Sequence, residues 1–248
     1  MSEDNSLLAI EDPDFLNREE MRAFRLAAEY SKPELVLRDH KIRSTVVVFG
    51  SARLGVGGEA VVGDASGKAE RYYGMARAFA RLVAEHSCQA HESDPEHWDF
   101  VIATGGGPAF MEAANRGAAD IGAPSIGLNI DLPREQHPNP YISEGLSFSF
   151  RYFALRKMHF VLRARALACL PGGFGTLDEL FDALTLMQTG KIPHMPILLF
   201  GQDYWKRVIN FDAMVEAGTI SAADRELVHF VDEAQDGWRI IAEYYGLE

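Results

Sequence analysis

The chain has little cysteine, no excess of positive charge and no long apolar run. Its 248 residues include two cysteines, Cys88 and Cys169, which are too few for a disulfide framework or a zinc site. Acidic residues outnumber basic ones by 36 to 24, which argues against binding to nucleic acid or to an anionic membrane surface. Apolar runs fall short of the ~20 residues of a membrane span, and the N-terminus does not follow the order of a signal peptide. We therefore expect a cytoplasmic protein.

Several motifs that mark common enzyme classes are also missing. The eight histidines show no metal-ligand spacing, so we expect no metal site. No P-loop sequence is present, which excludes nucleotide hydrolysis of the P-loop kind, and no G-x-S-x-G elbow is present. We expect no cofactor.

The apolar segments alternate between strand-like and helix-like patterns along most of the chain. This alternation predicts an α/β fold, a single Rossmann-like, doubly wound parallel sheet with helices on both faces. We place this domain at residues 45–248, after an N-terminal helical extension at residues 1–44. The predicted strands lie at 45–49, 100–103, 125–128, 166–170 and 195–200. The predicted helices lie at 14–30, 68–86, 108–121, 153–163, 177 onward, 204–217 and 234–245. Three stretches are interpreted as loops or insertions, at 52–66, 91–99 and 129–145.

A glycine-rich turn, Pro171-Gly172-Gly173-Phe174-Gly175-Thr176, joins the strand at 166–170 to a helix. The helix is indicated by apolar residues at helical spacing from Leu177 to Met187. Free backbone N–H groups at a helix N-terminus, with the positive end of the helix dipole, suit a phosphate. The sequence therefore predicts phosphate binding by Gly172, Gly173, Gly175 and Thr176.

Two further turns follow strands and should meet the first one at the same sheet edge. One is Gly50-Ser51 and the other is Gly105-Gly106-Gly107. The second is similar to a dinucleotide turn, but Phe110 stands where the third glycine should be, which disfavours an NAD site. Ligands of doubly wound sheets bind beyond the carboxyl ends of the strands. We expect these residues to bind a ligand there.

Glu179 admits two interpretations. Thr176-x-x-Glu179 has the spacing of a helix capping box, in which each side chain satisfies the other's backbone N–H. The open loop before it also allows Glu179 to face a ligand, where a carboxylate can steady positive charge on a sugar or accept a proton from water. The helix dipole predicts that this carboxylate is ionised.

Polar residues on the two neighbouring helices are further candidates. Arg156 and Lys157 lie on a largely apolar helix, and a buried arginine requires an anionic partner such as Glu179 or a phosphate. Asp182 and Thr185 share a helix face, which is either the mouth of the pocket or a surface stripe.

Together these motifs resemble the Lonely Guy (LOG) family, the cytokinin riboside 5′-monophosphate phosphoribohydrolases. The stretch from Pro171 to Glu179 is similar to the family's PGGxGTxxE signature, and Arg156-Lys157 to its Arg-Lys pair. The stretch from Gly105 to Met111 is similar to its GGGxxxxM turn. The resemblance runs from about residue 45 to the C-terminus. Many members carry the label lysine decarboxylase, which no pyridoxal-phosphate lysine motif supports here.

The resemblance implies cleavage of the N-glycosidic bond of a nucleoside 5′-monophosphate to a free base and ribose 5-phosphate. It implies that Arg156 and Glu179 are catalytic, that Lys157 and Thr185 bind substrate with the glycine turns, and that the chain forms a homodimer or a larger assembly. The alternative is a non-catalytic protein that binds or carries a nucleotide or a molybdopterin cofactor. The stretch from Tyr152 to Leu155 departs from the Ser-Met-His-Glu-like residues of short members, which leaves the preferred base open.

Overall fold

The computed structural model describes residues 7–54, 67–131 and 137–247. Within them, one sheet of seven strands is parallel throughout and has the order β4-β3-β2-β1-β5-β6-β7. The strands are β1 Thr45–Phe49, β2 Val101–Thr104, β3 Ser125–Ile130, β4 Ser147–Phe150, β5 Ala164–Cys169, β6 Ile197–Phe200 and β7 Val228–Val231.

The described residues also form ten α-helices and one 3₁₀ turn, at Glu19–Met21. The helices are α1 Pro13–Leu16, α2 Arg22–Asp39, α3 Lys68–Ser93, α4 Phe110–Ala119, α5 Phe153–Leu162, α6 Phe174–Gln188, α7 Gln202–Val208, α8 Phe211–Glu216, α9 Ala222–Arg225 and α10 Ala234–Tyr245.

The sheet has a hydrophobic core on each face. Strand β1 shows why: Val46 and Val48 pack into one core, and Val47 and Phe49 pack into the other, as the two-residue period of a strand requires. Helices α3, α4 and α10 cover the first face, and α2, α5, α6, α7 and α8 contribute to the second. The doubly wound α/β fold is therefore confirmed.

The strand order reverses between β1 and β5. From β1 the chain moves outward to β4, and it then returns to place β5 on the other side of β1. Such a reversal opens a crevice beyond the carboxyl ends of the central strands, since the connections leave in opposite directions. The three glycine turns follow β1, β2 and β5, so all three lie at this reversal.

The extension differs from its predicted form. The chain forms two short turns before Met21, and the long helix α2 then runs to Asp39 instead of ending near residue 30. It passes through Pro33, which is buried one turn before the buried Leu37. Burial of this apolar face offsets the backbone hydrogen bond that proline removes. The boundary at residue 44 stays a prediction.

Other element predictions were wrong in detail. Helix α3 continues to Ser93, so only the end of the expected 91–99 insertion is a connection. The single helix expected at 204–217 is two, because the Asn210 side chain accepts a hydrogen bond from the Ala213 N–H and starts α8. Strands β4 and β7 were missed because polar residues interrupt them, whereas the equally short β2 and β6 are buried along their whole length. Most of the predicted 52–66 loop, and residues 132–136 of the next, lie outside the described residues.

Candidate active site

A crevice of about 770 Å³ lies at the carboxyl ends of β1, β2 and β5. All three predicted turns line it, through Gly50 and Ser51, through Gly105 and Gly107, and through residues 172–176. Arg156, Glu179 and Met111 also line it. The structure thus brings together most of the residues that the sequence singled out.

The turn after β5 leads directly into α6, which begins at Phe174 with Gly173 as its N-cap. No side chain caps this end, so the capping box predicted from Thr176 and Glu179 was wrong. Both residues lie inside the helix, because the glycines let α6 start earlier than the apolar pattern indicates. The N–H groups of the first turn of α6 therefore face the crevice without a side-chain acceptor, which is the arrangement that binds an anion.

Gly172 has no room for a side chain. A Cβ atom there would lie 2.0 Å from Oγ1 of the buried Thr176. The hydroxyl of Tyr204, on α7, donates a hydrogen bond to the carbonyl oxygen of Gly172 at 2.5 Å. These contacts fix the direction of the turn. Sequence reasoning missed Tyr204, although its place just after the end of β6 put it at the same sheet edge.

Glu179 is 8% exposed and lines the crevice. Burial raises the pKa of its carboxyl group to about 7, and the positive charge of Arg156 opposes the rise only in part. The sequence predicted that the helix dipole favours the ionised carboxylate, but Glu179 lies beyond the first turn of α6, where the dipole acts weakly, and desolvation raises its pKa. A group with such a pKa exchanges protons readily near neutral pH.

Arg156 projects from α5 toward the same space. Its Nε donates a hydrogen bond to the carbonyl oxygen of Leu128 at 2.7 Å, and its guanidinium lies 5.1 Å from the centre of the Phe160 ring. Burial lowers its pKa and the charge of Glu179 raises it, but an arginine stays protonated in such surroundings. No hydrogen bond or ion pair within 4.0 Å joins Arg156 to Glu179 in the described structure, so the two act on each other through space.

A buried polar network holds the turn after β2. The Asn139 side-chain amide donates hydrogen bonds to the carbonyl oxygens of Gly106 and Gly107, at 3.2 and 3.1 Å, and to Oδ1 of Asn115 at 2.9 Å. The hydroxyl of Thr104 donates to the same Asn115 oxygen at 2.7 Å. Two carbonyl groups that would repel a phosphate are thereby turned toward Asn139. Sequence reasoning placed Asn139 only in a long loop.

The glycines of this turn make room for particular neighbours. A Cβ on Gly107 would lie 2.7 Å from Cε of Met111, and one on Gly106, where φ is +71°, would lie 2.1 Å from Oδ1 of Asn129. Gly106 therefore faces Asn129 and does not line the crevice. Phe110, which replaces the third glycine of a dinucleotide turn, is buried 2.9 Å from where a Cβ on Gly50 would stand. The site is thus built differently from a dinucleotide turn.

Besides Gly106, three predicted binding residues lie outside the crevice. The ammonium group of Lys157 pairs with Oδ1 of Asp178 at 2.8 Å. Asp182 and Thr185 line a shallow depression at the edge of the crevice, which shares Phe174, Leu177 and Asp178 with it. They stand one and two helical turns farther along α6 than Asp178, on its outward side. Their role in binding stays a prediction.

The N-terminal extension supports the helix that carries Arg156. The carboxylate of Glu29, on α2, accepts hydrogen bonds from the backbone N–H groups of Arg151 and Tyr152, at 3.0 and 3.2 Å. Tyr152 is the N-cap of α5, so Glu29 fixes the backbone at the point where this helix begins. At the other end of α5, Arg163 pairs with Glu34 through its Nη2 at 2.9 Å. Helix α2 therefore holds α5 at both ends.

Among the described residues, no group of three or more His, Cys, Asp or Glu side chains is placed to hold a metal ion. None of the described helices is both long and apolar enough to cross a membrane.

Solved structures of low sequence identity share the fold. The molybdenum cofactor binding protein from Rippkaea orientalis is 15% identical, with a TM-score of 0.56, and the match covers 82% of this chain and 98% of that one. The Moco carrier protein from Chlamydomonas reinhardtii is 19% identical, with a TM-score of 0.51 over 82% of this chain and 98% of that one. At this identity the likeness concerns the fold alone.

Sequence relatives are cytokinin riboside 5′-monophosphate phosphoribohydrolases of Arabidopsis thaliana. LOG3 is 30% identical over 148 residues, which are 58% of this chain and 67% of the relative. LOG2 is 24% identical over 73% of this chain and 80% of the relative. LOG7 is 35% identical over 91 residues, which are 36% of this chain and 42% of the relative, so that match spans less than half of LOG7.

A family model described as "possible lysine decarboxylase" matches residues 111–241, which is more than half of the chain. This range contains the Asn139 loop, Arg156 and the glycine turn before α6. The chain belongs to this family, the LOG family.

Proposed function

We propose that the chain hydrolyses the N-glycosidic bond of a nucleoside 5′-monophosphate and releases a free base and ribose 5-phosphate. The observation that carries the proposal is the position of Glu179. Its carboxyl group, with a pKa raised to about 7, lies in the same crevice as the three glycine turns and the cation Arg156. An anion cradle beside a group poised for proton transfer suits chemistry on a phosphorylated sugar.

The spacing along α6 sets the orientation of the ligand. The uncapped N–H groups at Phe174 and the residues after it bind the phosphate. Glu179 follows five residues later, roughly 8 Å farther along the helix at the usual rise per residue. A ribose ring separates the phosphate of a nucleotide from its glycosidic carbon. The phosphate at the start of α6 therefore brings that carbon toward Glu179.

In the reaction the bond between C1′ and the base nitrogen breaks, and its electron pair leaves with the base. A water oxygen forms the new bond to C1′, and the ionised carboxylate of Glu179 accepts one proton of that water. The departing base nitrogen takes up a proton from solvent and Glu179 later returns one to solvent, so that one water molecule is consumed overall. The same negative charge stabilises the oxocarbenium-like ribose in the transition state. Arg156 contributes by its positive charge, which keeps part of the Glu179 population ionised against the effect of burial.

The names of the sequence relatives support this activity, because each is a 5′-monophosphate phosphoribohydrolase. The substrate is accordingly AMP or a cytokinin riboside monophosphate.

Cys88 and Cys169 are both free thiols. We propose the reducing cytoplasm, where nucleotides are abundant, as the location of the reaction.

A second candidate is a carrier that binds a nucleotide or a molybdopterin cofactor without cleaving it. It is favoured by the solved structures of similar fold, which are described as molybdenum cofactor binding and carrier proteins. The crevice of about 770 Å³ has room for a ligand of that size. The carrier differs from the hydrolase in one measurable respect, since it releases no base from any nucleotide.

The decisive experiment incubates the full chain with AMP, GMP, CMP and N6-isopentenyl-AMP and measures free base by chromatography. We expect base release from at least one nucleotide and a loss of about 10²-fold or more in Glu179→Gln, which removes the charge aimed at the developing cation. The matched control is Glu216→Gln, an exposed glutamate on α8 away from the crevice. Base release that survives in Glu179→Gln would contradict the assigned role, and none from any nucleotide would favour the carrier.

We further propose that the chain forms a homodimer through α5. Met158 and Leu162, one turn apart on one face of this helix, are 44% and 47% exposed. Phe153 at the start of α5 and Phe174 at the start of α6 both line the crevice and are 52% and 92% exposed. Large exposed apolar side chains are typical of a subunit contact. Light scattering should give twice the monomer mass for the parent chain and a smaller mass for Met158→Glu. A monomeric parent chain would refute the contact.

A further inference from the structure

A second pocket of about 400 Å³ opens beside the crevice. Five residues line both spaces, so the two form one continuous cleft; they are Ser51, Arg53, Gly172, Gly173 and Tyr204. Beyond this shared wall, the second pocket is lined by Lys68, Arg207 and Asp203 among others. We call it the basic annex.

The annex concentrates positive charge in an acidic chain. Among the described residues that line it, Arg53, Lys68 and Arg207 stand against one carboxylate, that of Asp203, whereas the chain as a whole has a net charge of −12. In the part of the chain that the structure describes, none of these three cations pairs with a carboxylate within 4.0 Å. Neighbours on the same helices do find partners: Arg71 lies 3.9 Å from Glu233, and Lys206 lies 5.4 Å from the centre of the Phe230 ring.

The position of the annex indicates which part of a ligand reaches it. The shared residues include Gly172 and Gly173, which belong to the turn that precedes the uncapped start of α6. Arg156 and Glu179 line the crevice but not the annex. A ligand whose phosphate lies at this turn therefore has its sugar on one side, toward Glu179, and the annex on the other.

We propose that the basic annex binds a second phosphoryl group of the same ligand, so that the cleft accommodates nucleoside 5′-diphosphates as well as monophosphates. The proposal rests on the proposed function for the place of the first phosphate. A β-phosphate continues outward from the α-phosphate, away from the sugar, and so enters the annex. There it meets Arg53, Lys68 and Arg207, whose N–H groups form charge-assisted hydrogen bonds with phosphate oxygens.

The test measures affinities for AMP and ADP by calorimetry, with the full chain carrying Glu179→Gln so that no base is released. We expect ADP to bind about tenfold more tightly than AMP. Each exposed pair between a cation of the annex and the β-phosphate should raise the affinity by a factor of up to about five. Lys68→Ser and Arg207→Ser, added singly and together, should bring the ratio of the two affinities toward one. The matched control is Lys206→Ser, which removes a neighbouring cation on α7 that lies over Phe230. Circular dichroism confirms that each variant is folded.

An ADP affinity equal to or weaker than that of AMP would overturn the proposal, as would an ADP preference that survives in the double variant. A further arm adds inorganic phosphate together with AMP. If phosphate then binds while ADP gains nothing over AMP, the annex holds a separate ion, and the proposal is wrong. The same measurements distinguish failure of the annex from failure of the proposed function. When AMP binds and the parent chain cleaves it, a missing ADP preference overturns the annex alone, whereas failure to bind either nucleotide overturns the proposed function too.

Discussion

Arg156 donates a hydrogen bond from Nε to the carbonyl oxygen of Leu128, 2.7 Å away, and so joins α5 to strand β3. The bond fixes the guanidinium at Nε. Its Nη2 lies against Gly105, since a Cβ on Gly105 would stand 2.5 Å from that atom. The absence of a side chain at residue 105 is therefore what lets Arg156 reach the site.

Gly105→Ala should displace the guanidinium of Arg156 and reduce kcat/KM by about 10- to 100-fold, since misplacement by about 1 Å is enough for such a loss. The nearest atoms to the new methyl group are the ends of two flexible side chains, Arg156 and Met111. The melting temperature should therefore change little, and steady-state kinetics with thermal unfolding checks both points.

The matched control is Gly74→Ala in α3, where a Cβ meets nothing within 4 Å. It should keep full activity and gain roughly 1 kcal/mol of stability from helix propensity. Full activity in Gly105→Ala would show that Arg156 tolerates the shift.

The pKa of Glu179 predicts the pH profile of base release. If its carboxylate accepts the proton of water, kcat/KM should rise with pH and level off above about 7, where the group is ionised. The phosphate of the substrate also titrates, near pH 6, so the limb between pH 6 and 8 is the informative part. Rates measured from pH 5 to 9 check this. A rate that falls across pH 7 would instead assign Glu179 as the acid that protonates the leaving base.

The same pKa predicts how stability changes with pH. The carboxyl of Glu179 has a pKa of about 7 in the folded protein and an ordinary value of 4.5, so the folded protein holds this proton more tightly than the unfolded chain. The stabilising contribution of this carboxyl group to the free energy of unfolding is fully present below pH 4.5. It declines as the pH rises and is lost above about 7. Glu179→Gln should therefore be more stable than the parent chain at pH 8, by up to about 3 kcal/mol, with little difference at pH 4.5. Denaturant unfolding at the two pH values measures this, and a variant that is less stable at pH 8 would contradict the burial cost.

Glu29→Ala should weaken catalysis from a distance. It removes the acceptor for the N–H groups of Arg151 and Tyr152, which costs roughly 1 kcal/mol as the loss of a helix cap does. It should also lower kcat more than it raises KM, because Arg156 lies one turn inside the loosened helix. Glu19→Ala is the control, since its ion pair with Arg22 is exposed and should contribute less than about 0.5 kcal/mol. Unchanged kcat in Glu29→Ala would limit the extension to a role in stability.

The sheet and the glycine turns could be predicted because their signals are local. A strand, a turn with glycine and an apolar helical period follow one another within about twenty residues, and parallel strands bring such turns to one edge. Gly50, Gly105 and Gly172 were found in this way. The catalytic candidates Arg156 and Glu179 were found by their place beside those turns and by the family resemblance, and the structure brings both to the crevice.

What could not be predicted depends on contacts between distant segments. Tyr204 reaches Gly172 across 32 residues, Asn139 reaches Gly107 across 32, and Glu29 reaches Arg151 across 122. No local pattern marks such pairs. The protonation of Glu179 was misjudged for a similar reason, because its burial depends on packing around the crevice and the helix dipole is the only effect visible in the sequence.

The amide of Asn139 has a consequence for how this site can change over evolution. Asn139, Asn115 and Thr104 come from three separate segments, and each hydrogen bond among them has a fixed donor and a fixed acceptor. Replacement of one member alone leaves a buried polar atom without its partner. We therefore expect substitutions at these three positions to occur together in related sequences. A design that transfers the triple-glycine turn to another scaffold must include all three residues.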